Sequence, residues 1–381
     1  MTDPRFLPPQ AAYVHVPFCR RRCGYCNFTV VASRDDLIDP YLRALQIELS
    51  WLNAPRHVRS LYLGGGTPSH LPPGRLRQLL DLLRQWFLPC DAFEFTVEAN
   101  PADVTPECLD IFRHFGVTRV SLGVQSFQPR KLQVLERDHG PAESEAAARR
   151  VREQGMDLAV DLIFAVPGES SEEWQADLDT ALRASPDHFS LYGLTFERGS
   201  RFYGRMLRGE LVRVDEERER RMYEWAIDAL VRAGFQHYEV SNFARPGKRC
   251  RHNEVYWTGR GYYAAGPGAS RYVNGRRETN HRSVITYLKR VLAGQSPVAE
   301  RELLSPEDSA RERLVFALRR LEGIDVRAFA AETGYDVEQL VGAEIVPLLA
   351  NGWLDNSGGR LRLTRCGLLV SDALWPAFLR V

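Results

Sequence analysis

Cys19, Cys23 and Cys26 fall within eight residues, in the spacing C-x3-C-x2-C. Three thiolates so spaced can take three corners of a [4Fe–4S] cube and leave its fourth iron open, whereas electron-transfer clusters use four protein ligands. An open iron can chelate an amine and a carboxylate together, the pair that S-adenosylmethionine (SAM) offers. An electron from the reduced cluster then cleaves a C–S bond of SAM and yields a 5′-deoxyadenosyl radical. Zinc is the competing reading. It usually takes four ligands from paired halves, and no second C-x2-C half occurs here.

Other polar residues stand where a ligand would be met. Gly64-Gly65-Gly66-Thr67-Pro68 follows an apolar run, and glycines there let the backbone approach a ligand closely. Glu98, ahead of Ala99-Asn100-Pro101, could take ribose hydroxyls or an ammonium. Gln125-Ser126 closes another apolar run, and Asp161 stands among Val160, Leu162 and Ile163. An unpaired carboxylate in an apolar strand is costly, so Asp161 implies a partner or a ligand. Each has a plain alternative: a turn for the glycines, a helix cap for Glu98, a solvated charged face for Glu136-Arg137-Asp138.

The elements that must position these residues alternate six times between residues 11 and 195. Strands are predicted at Ala12–Val16, Arg59–Leu63, Phe93–Val97, Arg119–Val124, Leu158–Ala165 and Phe189–Leu194. Helices are predicted near Tyr41–Leu52, Arg75–Trp86, Glu107–Phe115, Glu143–Gln154 and Glu172–Arg183. Such alternation implies a parallel sheet with right-handed crossovers, here an α/β partial (β/α)6 barrel of the TIM type. A charged helix follows at 215–234, then a Gly- and Tyr-rich stretch at 237–275 without clear periodicity. The tail reads as helices at Pro306–Arg319, Asp325–Glu332 and Val337–Ala350, then strands Trp353–Asn356 and Arg360–Leu363, a winged-helix-like α+β pattern. Three segments are expected: a barrel core at 1–235, a connecting segment at 236–300 and the C-terminal domain at 301–381.

Composition bounds what such a chain does. It has 381 residues, 44% hydrophobic and 26% charged, enough to bury a large core without disulfides. Lys plus Arg number 50 against 49 Asp plus Glu, so no global charge excess favours nucleic acid or an anionic membrane. The third tail helix carries Asp336, Glu338 and Glu344 without Lys or Arg, which argues against DNA reading. No secretory signal and no apolar run long enough to span a bilayer is present. Seven cysteines, three of them crowded together, fit metal binding in a reducing cytoplasm.

Residues Tyr13 to Phe28 (YVHVPFCRRRCGYCNF) resemble the opening of the coproporphyrinogen III dehydrogenase-like branch of the radical SAM superfamily, and the resemblance runs through residues 11–375. It implies that SAM lies across the C-terminal ends of the strands and that the glycines at 64–66, with Thr67, meet its amino group. It further implies that Arg137 pairs with the SAM carboxylate, that Tyr13 and Tyr25 give aromatic contacts, and that Glu98, Gln125 and Asp161 join the same pocket.

Within that branch the sequence resembles the HemW-type haem chaperones. The dehydrogenases carry a fourth cysteine two residues past the third, where this chain has Phe28, and an N-terminal extension that is missing here. His252-Asn253-Glu254-Val255-Tyr256-Trp257 resembles the haem-binding HNxxYW motif of the chaperones. His252 could ligate haem iron, as could nearby Cys250. Tyr256 and Trp257 offer flat faces, and Arg249 and Arg251 could meet the propionates. The resemblance therefore implies a cytoplasmic haem chaperone that holds a [4Fe–4S] cluster with SAM and delivers haem to a respiratory or membrane acceptor. A homodimer and peripheral membrane contact go with that expectation, and nucleic acid does not. The alternatives are an oxygen-independent coproporphyrinogen III dehydrogenase, another radical SAM enzyme such as a methyltransferase or cyclopropanase, or a winged-helix regulator with a sensory cluster.

Overall fold

The structure is a computed structural model and describes residues 8–379. Six parallel strands form its centre: β1 (Ala11–Val16), β2 (Arg56–Gly65), β3 (Phe87–Ala99), β4 (Arg119–Gln125), β5 (Asp157–Phe164) and β6 (His188–Gly193). They pair in sequence order, as a right-handed series of crossovers requires. The crossovers are α1 (Ile38–Ser50), α2 (Pro73–Trp86), α3 (Pro106–His114), α4 (Pro141–Glu153) and α5 (Ser171–Arg183). The expected α/β partial barrel is thus the observed one, with strand ends shifted by a few residues.

Side-chain alternation explains both faces of the sheet. Val14, Leu61, Leu63, Phe95, Val97, Val120, Leu122, Leu158, Val160 and Phe189 are all completely buried. They meet apolar stripes of the helices, among them Leu45, Leu79, Leu83, Phe112, Val151 and Leu178. Each such side chain contributes about 1.5–3 kcal/mol on burial. The opposite parity is polar and turns into the barrel: Tyr13 and His15, Ser60 and Tyr62, Glu94 and Glu98, Arg119 and Ser121, Asp157 and Asp161, His188 and Ser190. Register stacks this inner set into levels, with Ser60 beside Glu94, Arg119 beside Asp157, and Asp161 beside Ser190.

Past residue 195 the chain does more than the fading periodicity implies. A hairpin, Gln236–Glu239 with Asn242–Ala244, adds antiparallel strands beyond β6, and Tyr263–Ala265 returns to lie parallel to β1. A separate antiparallel sheet of Ser270–Val273, Arg276–Asn280 and Val298–Leu303 was not expected, nor was the helix Val284–Leu292. At the C-terminus, helices Pro306–Leu318, Val326–Thr333 and Val337–Ala350 precede the ribbon Leu354–Ser357 and Arg360–Leu363. The short strand Ile324–Asp325 completes that ribbon, and the third helix is broken at Val341. Leu314, Ile345 and Phe378 belong to the same hydrophobic core as the barrel.

Candidate functional site

A cavity of about 1160 Å³ opens at the C-terminal ends of the strands, where barrel enzymes place their chemistry. Cys19, Cys23 and Cys26 line it from the loop after β1, together with Tyr25, Gly65, Gly66, Thr67, Glu98, Gln125, Arg137 and Asp161. Leu368 to Ala373 of the C-terminal domain close one side. Eleven of the thirteen site residues expected from sequence therefore meet in one place, and Tyr13 and His252 do not.

The three thiols are half-buried and unbridged. Burial pushes the Cys19 thiol up to about 12 despite a hydrogen bond from Thr67 Oγ1 at 3.4 Å, and burial raises Cys26 as well. Arg137 Nη1 lies 3.3 Å from Cys23 Sγ and 3.4 Å from the Tyr25 hydroxyl, while Nη2 donates to Gly123 O at 2.8 Å. This buried guanidinium belongs to the cavity wall and is not a member of a solvated face. Among the described residues no three Cys, His, Asp or Glu side chains converge on a single metal ion.

The glycines are required by contact. A Cβ on Gly64 would lie 2.6 Å from the Glu98 carboxyl carbon, and one on Gly66 would lie 2.7 Å from the carbonyl oxygens of Val16 and Phe18. Gly65 has φ +104°, which glycine alone adopts readily. Its N–H donates to Glu98 Oε2 at 2.9 Å, and Tyr62 Oη donates to Oε1 at 2.9 Å. Burial lifts Glu98 to about 7, and burial likewise lifts Asp161 to about 6 although Ser121 Oγ donates to it at 3.2 Å. Neither carboxylate has a cation within ion-pair distance among the described residues. Two buried amide oxygens, Gln125 Oε1 and Asn100 Oδ1, have no partner, and neither does Arg137 Nε. Gln125 holds φ +66°, a strained backbone for a non-glycine residue, seated where β4 ends. Unpaired acceptors, unpaired carboxylates and a tight glycine cradle fit a cationic, hydroxyl-bearing ligand such as SAM beside a cluster.

Two of the expected site residues lie outside this cavity. Tyr13 lies on the inner face of β1 and lines a smaller cavity that shares Phe28 and Arg282 with the large one, and its hydroxyl bonds His15 Nδ1 at 3.0 Å. His252 is 1% exposed at the opposite, N-terminal end of the strands. Its Nδ1 bonds Ser60 Oγ at 3.1 Å and its Nε2 bonds Tyr256 Oη at 2.9 Å, so both ring nitrogens have hydroxyl partners. Burial alone drops its pKa to about 3. Cys250 is buried too, and the neighbouring arginines are engaged: Arg249 with Glu254 and Glu322, Arg251 with the Ala92 carbonyl. The physical reason is packing. Segment 248–257 plugs the barrel floor, and Glu94 anchors the N-terminus of helix Arg251–Trp257 by accepting from the Arg251 and His252 N–H groups.

Sequence reasoning missed Tyr62, which supports Glu98, and Asn100, whose Nδ2 donates to Asp138 at 2.7 Å. The signal for Tyr62 was present: it shares strand parity with Gly64, between the buried Leu61 and Leu63.

Comparison with known proteins agrees with this geometry. Residues 13–181 match the model of the radical SAM superfamily, and residues 304–370 match the HemN C-terminal domain. The heme chaperone HemW of Mycobacterium tuberculosis (strain H37Rv) is 40% identical over 375 residues, covering 96% of this chain and 94% of the relative. The heme chaperone HemW of Bacillus subtilis (strain 168) is 32% identical, covering 97% of this chain and 99% of its own. Among solved structures, coproporphyrinogen III oxidase (HemN) from Escherichia coli superposes with a TM-score of 0.86 over 97% of this chain and 90% of that one. At 22% identity that likeness shows the shared fold. The chain, with its three-cysteine loop over a polar barrel mouth, belongs to the HemW family within the radical SAM superfamily.

Proposed function

We propose that the protein is a haem chaperone, which binds haem and passes it to a haem-accepting respiratory or membrane protein without decarboxylating a porphyrinogen. The observation that carries this reading is likeness over nearly the whole chain, at 32–40% identity, to relatives named heme chaperone HemW. Phe28 supports it, since it takes the place of the dehydrogenases' fourth cysteine and is 67% exposed.

Cys19, Cys23 and Cys26 would hold the [4Fe–4S] cluster. Gly65, Gly66 and Thr67 would take the SAM amino group, Arg137 its carboxylate, and Glu98 its ribose or ammonium. Gln125 and Asp161 offer further acceptors, and Tyr25 an aromatic edge. When bound, cluster and SAM supply one-electron cleavage chemistry. The chain's own part is to exclude water at the mouth through Leu368 to Ala373 and to keep Glu98 poised between protonated and ionised. The cofactors then support dimerisation or transfer. Cytoplasmic residence with peripheral membrane contact belongs to the same proposal, and among the described residues no helix is long and apolar enough to cross a membrane.

The test mixes haem-loaded, cluster-reconstituted protein anaerobically with an apo haem protein and follows the acceptor's absorbance. Coproporphyrinogen, SAM and reductant are supplied in parallel and the products analysed. Haem transfer with unchanged coproporphyrinogen is expected. Decarboxylated product makes the protein a dehydrogenase, and failure to bind haem overturns the reading.

A further inference from the structure

Gln125 enters the cavity wall from a backbone that resists its conformation. The Ser126 N–H donates to Val124 O at 2.8 Å, which closes a γ-turn with Gln125 at its centre and φ +66°. A γ-turn of that hand is rare and strained for a residue other than glycine. The register between β4 and β5 also shifts between Leu122 and Gln125, an irregularity of the kind that re-aims a side chain. The amide that results has a defined place. Its Nε2 lies 3.1 Å from where a Cβ on Gly123 would stand, and its buried Oε1 is left without a partner.

Ala165, just past the end of the neighbouring β5, repeats the strain with φ +58°. The residues that follow both strained positions are fastened to one buried ion network. Asp177, on α5, accepts from Ser126 Oγ at 2.6 Å and from the Phe127 N–H at 2.7 Å. Glu169 accepts from the Val166 N–H at 2.9 Å. Lys131 Nζ joins the two carboxylates, 2.5 Å from Glu169 Oε1 and 2.9 Å from Asp177 Oδ2. It also lies 5.0 Å from the centroid of the Trp174 ring, and all four side chains are buried.

Lys131, Glu169 and Asp177 do not line the large cavity, so they act on a ligand there only through what they hold. A buried ion network adds little stability over apolar side chains of similar volume. Its effect therefore lies in the geometry it fixes, here two adjacent strand ends that would otherwise relax.

We propose that Lys131, through Asp177 and Glu169, is a positioning residue for the SAM pocket: it locks both strained strand ends and so fixes the Gln125 amide where it accepts from SAM. The proposal deepens the SAM reading of the barrel mouth and rests on it.

The experiment titrates SAM into the reduced, cluster-reconstituted full-length protein and follows its electron paramagnetic resonance signal. The parent is compared with Lys131→Met, Gln125→Ala and the double variant. Bound iron and sulfide should stay parental in all of them, because the three cysteines have no bond to the ion network. Lys131→Met should raise the SAM dissociation constant at least about ten-fold, as displacing a binding group by about an ångström implies. On Gln125→Ala it should add less than about two-fold, since the group it positions is gone. A merely structural lysine would weaken SAM alike in both backgrounds, and that result overturns the proposal, as does parental affinity in Lys131→Met. Should Lys131→Met fail to fold, Ser126→Ala decides. It cuts one link to Asp177 and keeps every charge, and it should weaken SAM at least about three-fold with the same dependence on Gln125. Parental affinity there, or an equal loss on Gln125→Ala, overturns the proposal. If the parent responds to SAM and the variants respond as it does, this inference alone falls; if the parent is unmoved by saturating SAM, the SAM reading falls with it.

Discussion

The two ends of the barrel interior are both polar and both buried, yet they are built to opposite ends. At the floor, charge is matched by charge. Arg119, 3% exposed, lies 3.4 Å from Glu94 and 3.5 Å from Asp157 and donates to the Lys248 carbonyl at 3.0 Å, while Lys248 pairs with Asp157. Segment 248–257 covers this network, and His252 is buried within it. At the mouth the same strands present Glu98 and Asp161 without a cation, amide oxygens without donors, and a glycine turn with no room to spare. A buried polar group that lacks a partner costs stability, so a fold keeps several together where a ligand completes them. The contrast lies in the carboxylates: at the floor they have cations, although Arg119 Nε and Nη1 also lack acceptors, and at the mouth they have none among the described residues.

Breaking either end should therefore give opposite signatures. The largest effect is expected from Cys23→Ser, which should reduce bound iron and sulfide to background after anaerobic reconstitution while circular dichroism stays parental. At the floor, Arg119→Met leaves Glu94 buried without its cation, while Asp157 keeps Lys248. It should cost about 3–5 kcal/mol in urea unfolding, and the folded fraction should still take up a cluster. At the mouth, Glu98→Gln should match parental stability near pH 4.5 and exceed it toward pH 7, and should weaken SAM binding about ten- to a hundred-fold, as the loss of a charged hydrogen-bond acceptor implies.

The pH dependence sharpens the same pair. Glu98 titrates near 7 in the fold against 4.5 for the ordinary carboxyl, so the folded state holds more protons between those values. Stability of the cofactor-free protein should fall as pH rises from 4.5 to 7, by up to about 3 kcal/mol from this group. Glu98→Gln should remove that slope in melts taken across the window. SAM binding should run the other way and tighten as Glu98 ionises. The smallest change is expected from Ser121→Ala, which removes a donor to Asp161. It should cost about 1 kcal/mol in urea unfolding and move the Asp161 titration above about 6 by NMR.

Much of the barrel was legible because apolar parity dominates its strands: Leu61 and Leu63, or Val120 and Leu122, mark the outer face whatever lies inside. The mouth was legible for a related reason, since Glu98 and Asp161 break that apolar pattern at strand ends. The floor was not. Arg119 and Asp157 sit at strand beginnings, where charge usually means solvent, Glu94 lies within the long strand β3, and the segment that covers them arrives from residues 248–257. The antiparallel sheet at 270–303 was hidden for another reason. Its strands carry Arg and Glu instead of an apolar alternation, and cross-strand pairs hold it, Arg271 with Glu278 and Arg277 with Glu302. His252 was legible as part of a motif, whereas its burial and its hydroxyl partners Ser60 and Tyr256 depend on packing that the sequence does not show.

The central claim is that the mouth, not the floor, is the cofactor end. The most direct measurement is the electron paramagnetic resonance spectrum of the reduced, reconstituted protein with and without SAM, repeated for Glu98→Gln. A cubane spectrum that changes on adding SAM, and changes only at higher SAM in the variant, is the predicted result. A spectrum unmoved by saturating SAM would mean that the fourth iron is not open, and would contradict the account.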